Sequence, residues 1–133
     1  MVIDSPAAAP TSTFLVVDDD PLIRRVIRRI LRGSLVLEAA SVQEAEAVLA
    51  TPERRVDLLL SDVVLPDGDG YELSERARAL QPWIRLLFMS GYGPGVLAQY
   101  GLPRGTLVAK PFTAEQLRGR VLEELGRPVQ PLI

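Results

Sequence analysis

The sequence predicts an α/β fold of (βα)5 form: a doubly wound, parallel five-stranded sheet with helices on both faces. Three observations predict it. Short apolar runs recur at Phe14–Val17, Leu35–Leu37, Val56–Leu60, Ile84–Met89 and Thr106–Ala109. A stretch with helical spacing follows each run, the βαβ pattern of a parallel sheet covered on both sides. The chain has 133 residues, one domain's worth, and no internal repeat or linker divides it.

The elements follow in order. Residues 1–12 are rich in Pro, Ala, Ser and Thr and are expected to form a flexible tail. The first strand covers Phe14–Val17. In the helix after it, Leu22, Ile23, Val26, Ile27, Ile30 and Leu31 recur on one face. Arg24, Arg25, Arg28, Arg29 and Arg32 fill the other. Asp20 supplies its N-cap and Pro21 its N1 position. Ser41 caps the second helix, with Glu44 completing a capping box. A third helix covers Gly70 to Leu80. The fourth, within the glycine-rich segment 91–105, is expected to be short. The fifth runs from Thr113 to Leu125, with Gln116 as the capping-box partner of Thr113. The globular domain is therefore 13–126, and 127–133 forms a C-terminal tail.

Composition excludes several chemistries. The chain contains no histidine and no cysteine, so Ser-His-Asp and Cys-His triads, Cys/His zinc sites and disulfides cannot form. Any metal must take oxygen ligands, which favours Mg²⁺, Ca²⁺ or Mn²⁺. Fifteen basic and seventeen acidic residues give a net charge of −2, which argues against bulk binding of nucleic acid. No apolar stretch is long enough to span a membrane. The N-terminus has no basic start and no long apolar stretch, so it does not read as a secretion signal, and a cytoplasmic location is expected.

Ligands of open parallel sheets bind beyond the carboxyl ends of the strands. Here those ends carry Asp18-Asp19-Asp20, Ser61-Asp62, Ser90-Gly91 and Lys110-Pro111, and Lys110 is the chain's one lysine. Converging carboxylates repel: two unit charges ~4 Å apart at an effective dielectric of ~20 cost roughly 4 kcal/mol. A divalent cation removes that cost. Taken singly, each group has a plainer reading. The aspartate run is equally a helix start, Asp62 a loop aspartate and Lys110 a solvated lysine. The DGDG stretch at 67–70 lacks the spacing of a calcium loop and reads as a tight turn before a helix. GYGPG at 91–95 is not a phosphate loop, because no Lys-Ser/Thr pair follows.

Four blocks, FLVVDDDPLIRR, LLLSDVVLPDGDGYEL, LLFMSGYG and LVAKPF, resemble in order and spacing the motifs of a response-regulator receiver domain. The resemblance covers about residues 13–126. It implies a flavodoxin-like sheet of strand order 2-1-3-4-5. It implies that Asp62 is the phosphoacceptor and that Asp18 and Asp19 are the acidic pair for Mg²⁺. Asp19, Asp62 and the Val64 backbone carbonyl would be direct ligands, with Asp18 acting mostly through water. Ser90 and Lys110 would bind phosphoryl oxygens. Gly91 would leave room for the donor, and a cis bond before Pro111 would aim Lys110 into the site. The implied phosphodonor is a histidine kinase or phosphotransfer domain, and the implied output is an unnamed downstream protein reached through the fourth helix, fifth strand and fifth helix. Asp62 and the Mg²⁺ site would phosphorylate and dephosphorylate themselves, with no further enzymatic activity. One position departs from the family: the switch aromatic expected three residues before the lysine is Leu107, so Ser90 would be paired with an aliphatic switch residue. Tyr92 or Tyr100 would be substitutes. The FMSGY form resembles receivers of hybrid histidine kinases, which leaves a single-domain regulator and a hybrid-kinase receiver both open. The arginine face of the first helix, with Arg24 and Arg28, is either solvated or a kinase-docking face.

A second reading is an enzyme. FLVVDDDPL loosely resembles the nucleophile motif of haloacid-dehalogenase-type phosphatases, with Asp18 as nucleophile and Asp20 as acid/base. Leu22 departs from that motif, and the chain is short for a substrate-selecting cap. Phosphate on Asp18 rather than Asp62 would favour this reading.

Overall fold

The computed structural model describes residues 11–93, 98–100 and 107–127. Its main sheet has five strands in the order β2-β1-β3-β6-β7: β1 (Thr13–Val17), β2 (Leu35–Ala39), β3 (Leu58–Asp62), β6 (Arg85–Ser90) and β7 (Leu107–Ala109). All four pairings are parallel. Two short strands, β4 (Val64–Leu65) and β5 (Gly68–Asp69), form an antiparallel hairpin after β3. The helices are α1 (Pro21–Ile30), α2 (Val42–Leu49), α3 (Gly70–Leu80) and α4 (Ala114–Leu125). With the β4–β5 hairpin set aside, this is the expected 2-1-3-4-5 order.

Side-chain alternation along β1 splits the core in two. Leu15 and Val17 join one cluster with Val42, Ala45, Leu49, Leu73 and Ala77 from α2 and α3. Phe14 and Val16 join the other with Ile27 and Leu31 around α1 and Leu117 and Val121 from α4. Both faces are thus dry, which is why the strands carry few polar residues.

The helix starts follow their caps. Asp20 accepts the Leu22 N–H at 2.9 Å. Thr113 and Gln116 form the full capping box. At α2 the box is only half as expected: Ser41 accepts from the Glu44 N–H, but Glu44 reaches one residue further back, to the Ala40 N–H. The α1 face also differs. Ile27 and Leu31 are buried, while Leu22 and Val26 are 63% and 48% exposed. These two lie one turn apart, on a side of α1 that does not face the sheet.

Ser12 and Arg127 mark the edges of the described fold. The Ser12 carbonyl accepts the Leu35 N–H at 3.0 Å, and the Arg127 carbonyl accepts from the Arg85 guanidinium at 3.1 Å. Residues 1–10 and 128–133 of the two expected tails lie outside the described residues. So does most of the expected fourth helix, of which a short 3-10 turn at Ala98–Tyr100 is described.

Glu124 on α4 is buried, and among the described residues its Oε1 accepts no hydrogen bond. Burial pushes its carboxyl above the usual range, against the nearby charges of Arg127, Arg120 and Arg85. A raised acid binds its proton more tightly in the folded state. Its stabilising contribution is therefore present at low pH and is lost as pH rises through the folded value. Glu124→Gln is expected to stabilise the fold at pH 7 by about 1 kcal/mol, from removing a buried charge whose ion pair with Arg127, at 3.6 Å, is too long for a hydrogen bond. Below about pH 4 the carboxyl is protonated and the gain should vanish. Urea unfolding at both pH values checks this; equal gains at both would contradict it.

Candidate functional site

The carboxyl ends of β1, β3, β6 and β7 meet at one edge of the sheet. The Asp18 N–H bonds the Ala39 carbonyl at 3.1 Å, which extends β1 by one residue. The Lys110 N–H bonds the Ser90 carbonyl at 2.7 Å, extending β7 in the same way. Asp62 is the last residue of β3.

Asp18, Asp19 and Asp62 each offer a carboxylate oxygen within 4.8 Å of the others, an arrangement that could hold a metal ion. Asp18 is buried, Asp62 half-buried and Asp19 exposed, so the cluster opens to solvent on one side. Lys110 Nζ donates to Asp18 at 2.7 Å and to Asp62 at 3.1 Å. Three carboxylates and one ammonium leave two negative charges, the charge a divalent cation balances. The donor set is all oxygen, which suits Mg²⁺.

The electrostatics agree. Burial pushes the Asp62 carboxyl above its ordinary value, and its bond from Lys110 and the backbone N–H of Val64 only partly offset this. Burial pulls the Lys110 ammonium down, but its bonds to Asp18 and Asp62 outweigh that and its pKa ends raised.

The remaining expected groups lie around this cluster or beside it. Ser90 is buried, and its Oγ accepts the Tyr92 N–H at 2.9 Å, which leaves the hydroxyl proton to be donated. The Lys110–Pro111 peptide is cis. Gly91 is exposed, and a Cβ there would meet nothing within 4 Å. Leu107 is half-buried against the α2–α3 core cluster. Tyr92 is 53% exposed, and the side chain of Tyr100 lies outside the described atoms. The Val64 N–H faces the Asp62 carboxylate. Asp18 is held by Lys110 and by the Asp20 N–H.

The supports behind these groups are not among the site residues the sequence motifs mark out. Arg24 donates to the Asp18 carbonyl at 2.6 Å while its Nε bonds Glu38 at 2.9 Å. Arg28 pairs with the same glutamate at 2.6 Å. Arg24 thus braces the β1–α1 turn, and Arg28 ties α1 to β2. The Ser61 hydroxyl donates to the Asp62 carbonyl at 2.8 Å. Asp67, at the tip of the β4–β5 hairpin, accepts N–H bonds from Val42 and Gln43 at 2.8 and 3.0 Å. The 67–70 turn is this hairpin and the start of α3. No local pattern signals the bonds to Glu38 or from α2 to Asp67, because those partners are distant in sequence.

The family model of the response regulator receiver domain matches residues 14–122, nearly all of the described fold. The chain belongs to the response regulator receiver domain family. It is 37% identical over 122 residues to the sensor kinase CckA of Brucella abortus, covering 88% of this chain but 13% of that one. It is 30% identical to sporulation initiation phosphotransferase F of Bacillus subtilis, covering 84% of this chain and 91% of that one. Among solved structures, the receiver domain of the hybrid histidine kinase CckA superposes with a TM-score of 0.72 at 35% identity. That match covers 86% of this chain and 99% of the other. The receiver therefore corresponds to nearly the whole of the phosphotransferase and to a small part of the kinase. The haloacid-dehalogenase reading gains no support. Asp18, its proposed nucleophile, is 1% exposed and tied to Lys110, out of reach of a phosphodonor. Among the described residues, no helix is long and apolar enough to cross a membrane.

Proposed function

We propose that this receiver domain accepts a phosphoryl group on Asp62 from the phosphohistidine of a histidine kinase or phosphotransfer domain. The observation that carries this is the Lys110 ammonium, bonded to both Asp18 and Asp62 inside the three-aspartate cluster. In the transfer, an Asp62 oxygen forms a P–O bond as the donor's P–N bond breaks. The donor is external, because these 133 residues contain no histidine. Asp18, Asp19, Asp62 and the Val64 carbonyl would hold Mg²⁺, which supplies charge stabilisation to the phosphoryl oxygens. Lys110 shifts its bond from the Asp62 carboxylate to a phosphoryl oxygen. The Ser90 hydroxyl donates its proton to another, which draws the β6 end toward Asp62. Hydrolysis of the phosphoaspartate resets the site, and no further catalytic activity is assigned.

Leu107 follows Ser90 as an aliphatic switch residue, and the response passes to the face around β7 and α4. The reader of that face is a downstream protein in the cytoplasm, contacted without direct nucleic-acid binding. Kinase docking falls to the exposed Leu22, Arg25, Val26 and Arg29 of α1, since Glu38 holds Arg24 and Arg28. Mg²⁺ with beryllofluoride, a phosphoryl mimic, is expected to shift the amide resonances of Ser90 and Leu107. Asp62→Asn should abolish both shifts. A variant that responds like the wild type would remove Asp62 from the reaction.

A further inference from the structure

The β4–β5 hairpin carries Val64 and is held at three points. Its base is pinned to the sheet: the Val63 N–H donates to Met89 at 3.0 Å, and the Val63 carbonyl accepts from Gly70 at 2.8 Å. Leu65 is buried in the α2–α3 cluster and sets its depth. The tip is tied sideways by the two bonds from α2 to Asp67. A hairpin with two residues per strand has little stability of its own, so these attachments decide where it sits. The α2 attachment is close: a Cβ on Gly68 would stand 3.2 Å from the Val42 side chain.

The helix end is also complete. The first two amides of α2, Val42 and Gln43, go to Asp67; the third goes to Ser41 Oγ and the fourth to the Ser41 carbonyl. Those two bonds hold the Asp67 carboxyl below its usual range, so it is a charged acceptor at neutral pH. Neither half of this arrangement touches the acidic cluster, yet Asp67 is only three residues from Val64.

We propose that Asp67 is a positioning residue for the Mg²⁺ site: by docking the hairpin on the α2 N-terminus, it fixes the Val64 carbonyl relative to Asp62. This rests on the Mg²⁺ reading of that cluster. Coupling between sites is reciprocal, so metal bound at the cluster also steadies the α2 start.

Isothermal titration of the metal-free protein with MgCl₂ tests this, with amide exchange at Val42 and Gln43 as a second readout. Asp67→Ala is expected to weaken Mg²⁺ binding about 10-fold, the usual size of losing a group that orients a ligand. Asp67→Asn keeps an acceptor oxygen and should fall between the two; it also serves if the alanine variant folds poorly. Mg²⁺ should slow exchange at Val42 and Gln43 in the wild type and not in Asp67→Ala. If the wild type binds Mg²⁺ and folded Asp67→Ala binds it equally well, this inference fails alone. If the wild type binds none, the reading of the cluster fails, and this inference with it.

Discussion

Lys110→Ala is expected to destabilise the metal-free protein by about 3 kcal/mol, the low end for breaking a buried pair. The lysine is 20% exposed and its partner Asp18 only 1%. Its removal leaves the buried Asp18 carboxylate beside Asp62 with only the Asp20 N–H bonded to it and no cation to offset their repulsion. Mg²⁺ should restore part of this loss, because a cation at the cluster answers the same charge. The phosphoryl response should not return: a metal cannot hand the Lys110 bond from Asp62 to a phosphoryl oxygen. Urea unfolding with and without Mg²⁺ measures the first effect, and the beryllofluoride shifts at Ser90 and Leu107 the second. A variant within about 1 kcal/mol of wild type that keeps those shifts would contradict the role given to the only lysine.

Gly70→Ala is expected to be as damaging, through sterics alone. An added Cβ would stand 2.4 Å from the Asp62 carbonyl oxygen and 3.0 Å from Ser61 Oγ. The first contact is with backbone, so the end of β3 or the start of α3 must move. Overpacking of this kind costs about 3 kcal/mol, and here the residue displaced is Asp62, the proposed acceptor. Stability and phosphorylation should fall together. Gly91→Ala provides the contrast, since a Cβ there meets nothing within 4 Å. It should leave stability within about 0.5 kcal/mol, as ordinary surface changes do, while slowing phosphorylation by crowding the donor's approach. Equal stability for both variants would show that close approach is not what position 70 requires.

The sheet was legible because parallel strands buried on both faces must be short and apolar. Strand ends were less so. The third run reads as Val56–Leu60, but β3 is Leu58–Asp62. The Val56 N–H donates to the buried Gln81 side chain at 2.7 Å rather than to a neighbouring strand. Ile84 is fully buried, yet its N–H bonds the Gln81 carbonyl in a turn before β6 begins at Arg85. Apolarity reports burial, not ladder bonding. The second strand errs the other way: the run stops at Leu37, but β2 continues through Glu38 to Ala39. Glu38 is tolerated there because Arg24 and Arg28 meet its carboxylate.

The site was legible for a different reason. Asp18, Ser90 and Lys110 follow an apolar run directly and Asp62 follows one after Ser61, so once the strands are parallel they must share an edge. What surrounds them had no such signal. Asp67 is 25 residues from its partner Val42, and Glu38 is 14 from Arg24. Nothing periodic links either pair, and only the folded chain brings them together.

The most direct test of the account is the site of phosphorylation. The protein would be incubated with Mg²⁺ and a small acyl phosphate, and the labelled residue located by peptide mass spectrometry. One phosphoryl group on Asp62, dependent on Mg²⁺ and lost in Asp62→Asn, is the result predicted. Label on Asp18 or Asp19, or label on Asp62 that persists without a divalent cation, would contradict it.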